Sequence, residues 1–423
     1  MAELQTPSPT STGAPAVFLH IGLPKTGTSY LQSALSNSRA RLAAEGVLVP
    51  GNRRNAHTLE VWDFLGRRPR GADQSNVSGS WDAMVAAVTA WTGSHAVVSS
   101  ELLSSANDRQ VRRAVRSFGP AQVHLVVTVR DLARVIPATW QQELTKGRLW
   151  SWEEYVAAVR DPESGPATAG VAFWLRQDLV RVLDVWEAVV PRERIHLVTV
   201  PPAGSPPDRL LARFAEAVRV DPGWLDVDIT PTTGNTSVGM VEAEVLRQLN
   251  AGLGGRLNER QYTRVVQFAV KPALQQQAND TPIALSTDDH KWVEEQAGAL
   301  VTTLRSRGHD VIGNLDDLVP PSQSSGLDST APSDVPSDRL ATAAIAALVG
   351  VAEAYGTFWW RLRRSDQSTD APAGARLSSW ARSVAGRARA EALDRADRSP
   401  LLHRAALRYA RRSRTGNRAI QRP

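Results

Sequence analysis

Residues 17–35 read VFLHIGLPKTGTSYLQSAL. An apolar, β-branched run gives way to a loop with Gly22 and Gly27 spaced as G-x-x-x-x-G, and then to a helical pattern. Strand, glycine loop and helix start in that order build a nest of backbone N–H groups at the positive end of a helix, a ready site for anions. The stretch departs in one respect from the nucleoside-triphosphatase loop G-x-x-x-x-G-K-[ST]. Ser29 keeps the hydroxyl position, but Thr28 stands where the lysine is due, and the lysine sits inside the loop at Lys25. Gly27 lets backbone approach a phosphate, and Pro24 stiffens the turn that aims Lys25.

Composition gives that lysine its weight. Of 49 basic residues only Lys25, Lys146, Lys271 and Lys291 are lysine. This looks like the Arg- and Ala-heavy usage of a GC-rich bacterium, and against it a retained lysine matters, because arginine cannot copy a compact ammonium at a phosphate. The 423 residues, 42% of them hydrophobic, exclude a wholly disordered chain and allow two or three units. The absence of cysteine excludes disulfides, thiolate zinc sites and a cysteine nucleophile, and it favours a reducing compartment. Residues 1–15, MAELQTPSPTSTGAP, lack the basic and apolar regions of a secretion signal and read as a flexible leader. A cytoplasmic protein is therefore expected.

Outward from the loop, further strands are expected at 95–100, 122–129 and 194–200, after the first at 16–22, with helices near 28–45, 81–93, 108–118, 131–146 and 171–190. Near-continuous apolar strands alternating with helices predict an α/β fold with a parallel sheet covered on both faces. Beyond residue 205 the pattern is helical, at roughly 207–219, 238–253, 258–275 and 286–307. Residues 320–338, rich in Pro, Ser and Asp, read as a linker that closes an α/β domain spanning 16–319.

A linker-joined, Ala- and Arg-rich helical tail, partly disordered, is expected over 339–423. Residues 340–423 hold 16 Arg, no Lys and 6 acidic residues, so the tail carries +10 of a net +6 and the rest of the chain is acidic. A helix at 340–364 would line up Leu340, Ala344, Leu348, Val351, Tyr355, Phe358 and Leu362, with Trp359 and Trp360 beside arginines. Glu353 and the alanines argue against a membrane span. Packing on the core or on another chain, and a peripheral contact with an anionic membrane at its inner face, are the readings weighed for it. No specific nucleic-acid partner is expected.

The string Leu23-Pro24-Lys25-Thr26-Gly27-Thr28-Ser29 resembles the 5′-phosphosulfate loop of the sulfotransferases that use 3′-phosphoadenosine 5′-phosphosulfate. Their second signature, a strand ending in Arg-Asp or Arg-Asn that opens a helix, is matched by Arg130 and Asp131 in QVHLVVTVRDLARVIPATW. The resemblance covers roughly residues 16–240. It implies that Lys25 holds the 5′-phosphate and bridging oxygen, with Pro24, Thr26, Gly27, Thr28 and Ser29 around it. Tyr30 would stack on adenine or face the core. Arg130 would grip the 3′-phosphate. The family usually places a serine eight residues after this arginine; here that position is Ala138, and Thr139 is the nearest hydroxyl. Asn235-Thr236-Ser237 would close over the nucleotide or cap the next helix.

Sulfuryl transfer needs a base for the acceptor's proton, and two side chains compete. Glu101 lies just past a strand end, at the sheet edge where open α/β folds bind ligands, a position the family often uses for its base. His57, in GNRRNAHTLEVWDF, is the rival. No metal is expected, since a sulfate monoanion presents less charge than a triphosphate and no carboxylate cluster suits magnesium. The acceptor, a glycan, lipid or small molecule, is not readable; the Trp-rich segment at 140–152 suits a sugar and a packed helix end equally. A phosphate-loop kinase or other nucleotide-using enzyme, and an inactive nucleotide-binding scaffold, are the alternatives.

Overall fold

The structure, a computed structural model, describes residues 15–51, 56–66, 77–227, 239–277, 283–322 and 332–365. Six strands form one sheet: β1 (Ala16–His20), β2 (Val47–Leu48), β3 (His95–Ser99), β4 (Val123–Val129), β5 (Ile195–Thr199) and β6 (Asp310–Ile312). Their order is β2-β3-β1-β4-β5-β6 and every pairing is parallel. This is a P-loop-type α/β sheet with the glycine-loop strand at its centre. The four expected strands are all present. The short edge strands β2 and β6 were not anticipated.

Helices run in chain order as α1 (Thr28–Asn37), α2 (Arg39–Ala44), α3 (Ala56–Phe64), α4 (Ser80–Thr89), α5 (Asp108–Ser117), α6 (Leu132–Leu144), α7 (Trp152–Arg160), α8 (Ala167–Gln177), α9 (Leu179–Glu187), α10 (Arg209–Ala217), α11 (Met240–Leu253), α12 (Glu259–Tyr262), α13 (Lys271–Gln277), α14 (Thr287–Arg307) and α15 (Ser337–Ser365). A π-helical stretch, Thr263–Val270, joins α12 to α13. Two expected helices are broken. The 28–45 helix divides at Ser38, and the 171–190 helix divides at Asp178, whose side chain accepts the Arg181 N–H and so starts α9.

Alternation along the strands sends side chains to two cores. Val17, Leu19, Val98, Leu125, Val127 and Leu197 meet α3, α4, α5, α9 and α14 on one face. Phe18, Val97, Val126 and Val198 meet α1, α2 and α10 on the other. A third core is wholly helical, built from α6, α7, α8, α11, the π stretch, α13, α14 and α15. Of the expected 320–338 linker, the described end at 332–338 reaches this core: Val335 is buried there and α15 starts at Ser337, laying Ala343 and Ala347 against the same cluster. The start of the expected tail, through Ala347 and Val351, thus packs on the helical core. The expected leader up to residue 14 and the tail beyond 365 lie outside the described residues.

Candidate functional site

Past β1 the chain keeps tracking β4. The Ile21 N–H donates to Val126 O at 2.9 Å and the Leu23 N–H to Thr128 O at 3.1 Å. Gly22 is dictated by this closeness: a Cβ there would stand 2.2 Å from Thr128 Oγ1 and 2.7 Å from His20 Nε2.

Beneath the loop runs one polar chain. Thr26 Oγ1 donates to Leu23 O at 2.6 Å and lies 2.6 Å from Thr128 Oγ1, which is 3.1 Å from His20 Nε2; His20 Nδ1 lies 2.8 Å from Ser99 Oγ. The Thr26 hydrogen being spent, Thr128 donates to Thr26, His20 Nε2–H donates to Thr128, and the Ser99 hydroxyl donates to Nδ1. The imidazole is neutral, because full burial pushes its pKa down to about 3.

Above this floor, two successive loop carbonyls are tied from outside. Gln177 Nε2, at the end of α8, donates to Pro24 O at 2.8 Å, and Arg130 NH1 donates to Lys25 O at 3.1 Å. The backbone turns through left-handed geometry at Lys25 (φ 71°) and again at Gly27 (φ 85°), where α1 begins with no side-chain cap. The two motifs read from sequence therefore touch. Asp131 accepts the Arg134 N–H at 2.9 Å and caps α6, which leaves Arg130 facing the loop.

The electrostatics are strongly cationic. Burial first, then Lys146 and Lys271, and lastly Arg130, lower the Lys25 pKa to about 8, while Glu143 pulls it up. Burial and then Arg134 lower Arg130 to about 10, and Asp131 opposes them. The Arg130 Nε is buried with no hydrogen-bond partner. Lys146 and Lys271, two of the other three lysines, thus lie near enough to act on Lys25.

Sequence reasoning missed the buried carboxylate in their midst. Glu143, near the end of α6, lies 2.7 Å from Lys146 Nζ, 3.4 Å from Arg176 NH1 and 3.9 Å from Arg148 Nε. These cations overcome its burial and hold its pKa below the ordinary value. The i,i+3 spacing of Glu143 and Lys146, with a rare lysine, was the available signal. The turn after α6 is fastened by the helical core: Asn250 Nδ2 donates to Leu144 O and Arg148 O, and Gln267 Nε2 to Thr145 O, at 2.7–3.0 Å.

The remaining expected residues fall as follows. Glu101 opens a 3-10 turn directly after β3 and accepts from Gln32 Nε2 of α1 at 3.0 Å. The neighbouring Ser100 Oγ is buried without a partner. His57 is buried on α3 with both ring nitrogens engaged: Nδ1 accepts the Ser99 N–H and Nε2 donates to Pro50 O, each at 3.0 Å. Burial, only partly offset by these backbone bonds, lowers its pKa to about 4, so it has neither a free nitrogen nor basicity for proton transfer. Its place is a brace between β3 and Pro50.

Tyr30 packs toward α10, with its hydroxyl donating to Pro207 O at 3.3 Å. Thr139 is buried and donates to its own helix at Val135 O, 2.8 Å away. Trp140, Trp150 and Trp152 are buried in the helical core, so they offer no face to an acceptor. Asn235, Thr236 and Ser237 lie outside the described residues. Among the described residues no three His, Asp or Glu side chains stand together as metal ligands.

No family model and no curated protein matches the sequence. Among solved structures, the chain is similar to a crystal structure of a sulfotransferase from Alicyclobacillus acidocaldarius, at TM-score 0.35 and 14% identity, over 56% of this chain and 93% of that one. Nothing about chemistry follows from a match at that score.

Proposed function

We propose that the chain is a sulfotransferase that takes a sulfuryl group from 3′-phosphoadenosine 5′-phosphosulfate and gives it to a hydroxyl or amine of a glycan, lipid or small molecule. The observation that carries this reading is the bond from Arg130 NH1 to Lys25 O, which brings the two anion motifs into contact past the ends of β1 and β4. The residues fit such a donor: a buried guanidinium Nε lacks a partner, and a desolvated ammonium is crowded by like charges. A polyanionic nucleotide would relieve both.

The donor supplies an activated sulfate, whose sulfur–oxygen bond to the 5′-phosphate breaks as the acceptor oxygen or nitrogen bonds to sulfur. The protein's part is positioning and charge. Lys25 and the uncapped start of α1, with Thr28 and Ser29, hold the phosphate oxygens on which charge accumulates. Near neutral pH, Lys25 is mostly protonated despite its lowered pKa, and a bound phosphate raises it again. Arg130 presents a forked pair to the 3′-phosphate. Glu101, at the neighbouring strand end, takes the acceptor's proton.

Calorimetry with adenosine 3′,5′-bisphosphate against ATP plus magnesium tests the donor, and a preference for ATP would overturn the reading. Incubation of extracts with enzyme and donor, followed by mass spectrometry for a gain of one SO3 unit, identifies the acceptor.

A further inference from the structure

Helix α15 faces the wrong way for a helix in water. Its inner face is made of Ala343, Ala346, Ala347 and Gly350. Gly350 packs so closely on the π stretch and α13 that a Cβ there would stand 2.8 Å from Ala269 O and 2.5 Å from Ala273 Cβ. The large apolar residues point out: Ile345, Leu348, Val349 and Tyr355 are 62%, 67%, 51% and 64% exposed. Their spacing puts them on one stripe of a 3.6-residue helix, opposite the alanines. On the adjoining π stretch Phe268 is 74% exposed. Monomeric proteins in water rarely leave such a stripe uncovered.

Ser337–Gly356 is long and apolar enough to cross a membrane. Docking of its inner face on the helical core rules out that it spans one as folded, and leaves the outer face for a surface. The sequence that follows chooses the surface: after FWWRLRR at 358–364, the chain to residue 423 adds 13 more Arg and no Lys. Pairing of two such faces between copies would bring two strongly basic segments together, and they would repel. A layer of anionic headgroups neutralises them instead, and an apolar stripe plus a basic patch is the pair of signals that makes peripheral attachment stable.

We propose that α15 lies on an anionic lipid surface, with Ile345, Leu348, Val349 and Tyr355 in the acyl boundary and the net positive charge of the sequence after 358 supplying the attraction to anionic headgroups. The proposal rests on none of the donor chemistry. The test is sedimentation of the full chain with phosphatidylcholine vesicles, with and without one quarter phosphatidylglycerol. Anionic vesicles should bind at least tenfold more strongly, with binding weakened by salt. The exposed double variant Ile345→Glu/Leu348→Glu should lose at least tenfold of that binding, with its circular dichroism spectrum unchanged. Val349→Ser/Tyr355→Ser, a milder pair, should lose severalfold. Absence of binding, equal binding by the variants, or tighter binding of duplex DNA than of vesicles would overturn the proposal. So would a dimer in light scattering that the first variant dissolves.

Discussion

Replacing Lys25 with methionine should stabilise the ligand-free protein while abolishing nucleotide binding. The Lys25 pKa falls from 10.5 to about 8 through burial and through Lys146 and Lys271. At about 1.4 kcal/mol per unit this is roughly 3 kcal/mol spent on keeping the ammonium charged in the folded state, and about 1–3 kcal/mol after allowing for its partial exposure. Methionine keeps the stem and bears the same left-handed strain, so only the charge is removed. Thermal melts at pH 7 should show the variant higher by roughly 2–6 °C, at about 2 °C per kcal/mol for a domain of this size.

The pH dependence gives the sign. The folded pKa lies below the unfolded one, so between pH 8 and 10.5 the unfolded chain binds more protons and wild-type stability rises with pH relative to the variant. The advantage of the variant is complete below pH 8 and shrinks as pH climbs toward 10.5. Adenosine 3′,5′-bisphosphate at a hundred times its dissociation constant should stabilise the wild type by about 2.7 kcal/mol and the variant hardly at all. A variant less stable at pH 7, or a gap unchanged by pH, would refute the reasoning.

Gly22→Ala should cost about 2 kcal/mol or more and remove nucleotide binding, and Thr128→Ala in the same chain should recover part of the stability, read by urea titration, since Thr128 Oγ1 is the nearest obstacle at 2.2 Å. Glu101→Gln should lower donor turnover about 10²–10⁴-fold with adenosine bisphosphate affinity unchanged; unaltered turnover would remove it as base. His57→Ala should cost about 1–3 kcal/mol by leaving the Ser99 N–H unpaired, yet leave turnover per folded molecule intact. Arg130→Lys should weaken adenosine 3′,5′-bisphosphate at least tenfold and adenosine 5′-monophosphate much less, because a point charge cannot replace the fork; equal losses would place the 3′-phosphate elsewhere.

The central strands were readable because each is an apolar run flanked by loops, and the Gly22–Gly27 loop because its glycines, lysine and hydroxyls sit together in sequence. Edge strands β2 and β6 are two and three residues long, too short to show a period. The breaks at Ser38 and Asp178 interrupt helices whose apolar spacing continues across them: Asp178 caps α9, and the Ser38 hydroxyl accepts the Asp226 N–H from a segment far along the chain. Glu143 was hidden for another reason: a buried carboxylate is tolerable only with cations around it, and beside the local Lys146 and Arg148 the fold brings Arg176 from α8. The facing of α15 could not be read either, because Ala343, Ala347 and Gly350 fit a close helix crossing that bulkier residues cannot make.

The gathering of Lys25, Lys146 and Lys271 has a practical corollary. With one lysine left at position 291 and no thiols at all, the side chains of this protein offer amine- and sulfhydryl-directed reagents few targets besides these three lysines. An acylating or sulfonyl-fluoride tag, applied without engineering, would be drawn there by a lysine with an unusually large fraction of free amine. Protection of that amine by a candidate nucleotide would then be visible as missing mass on a single peptide.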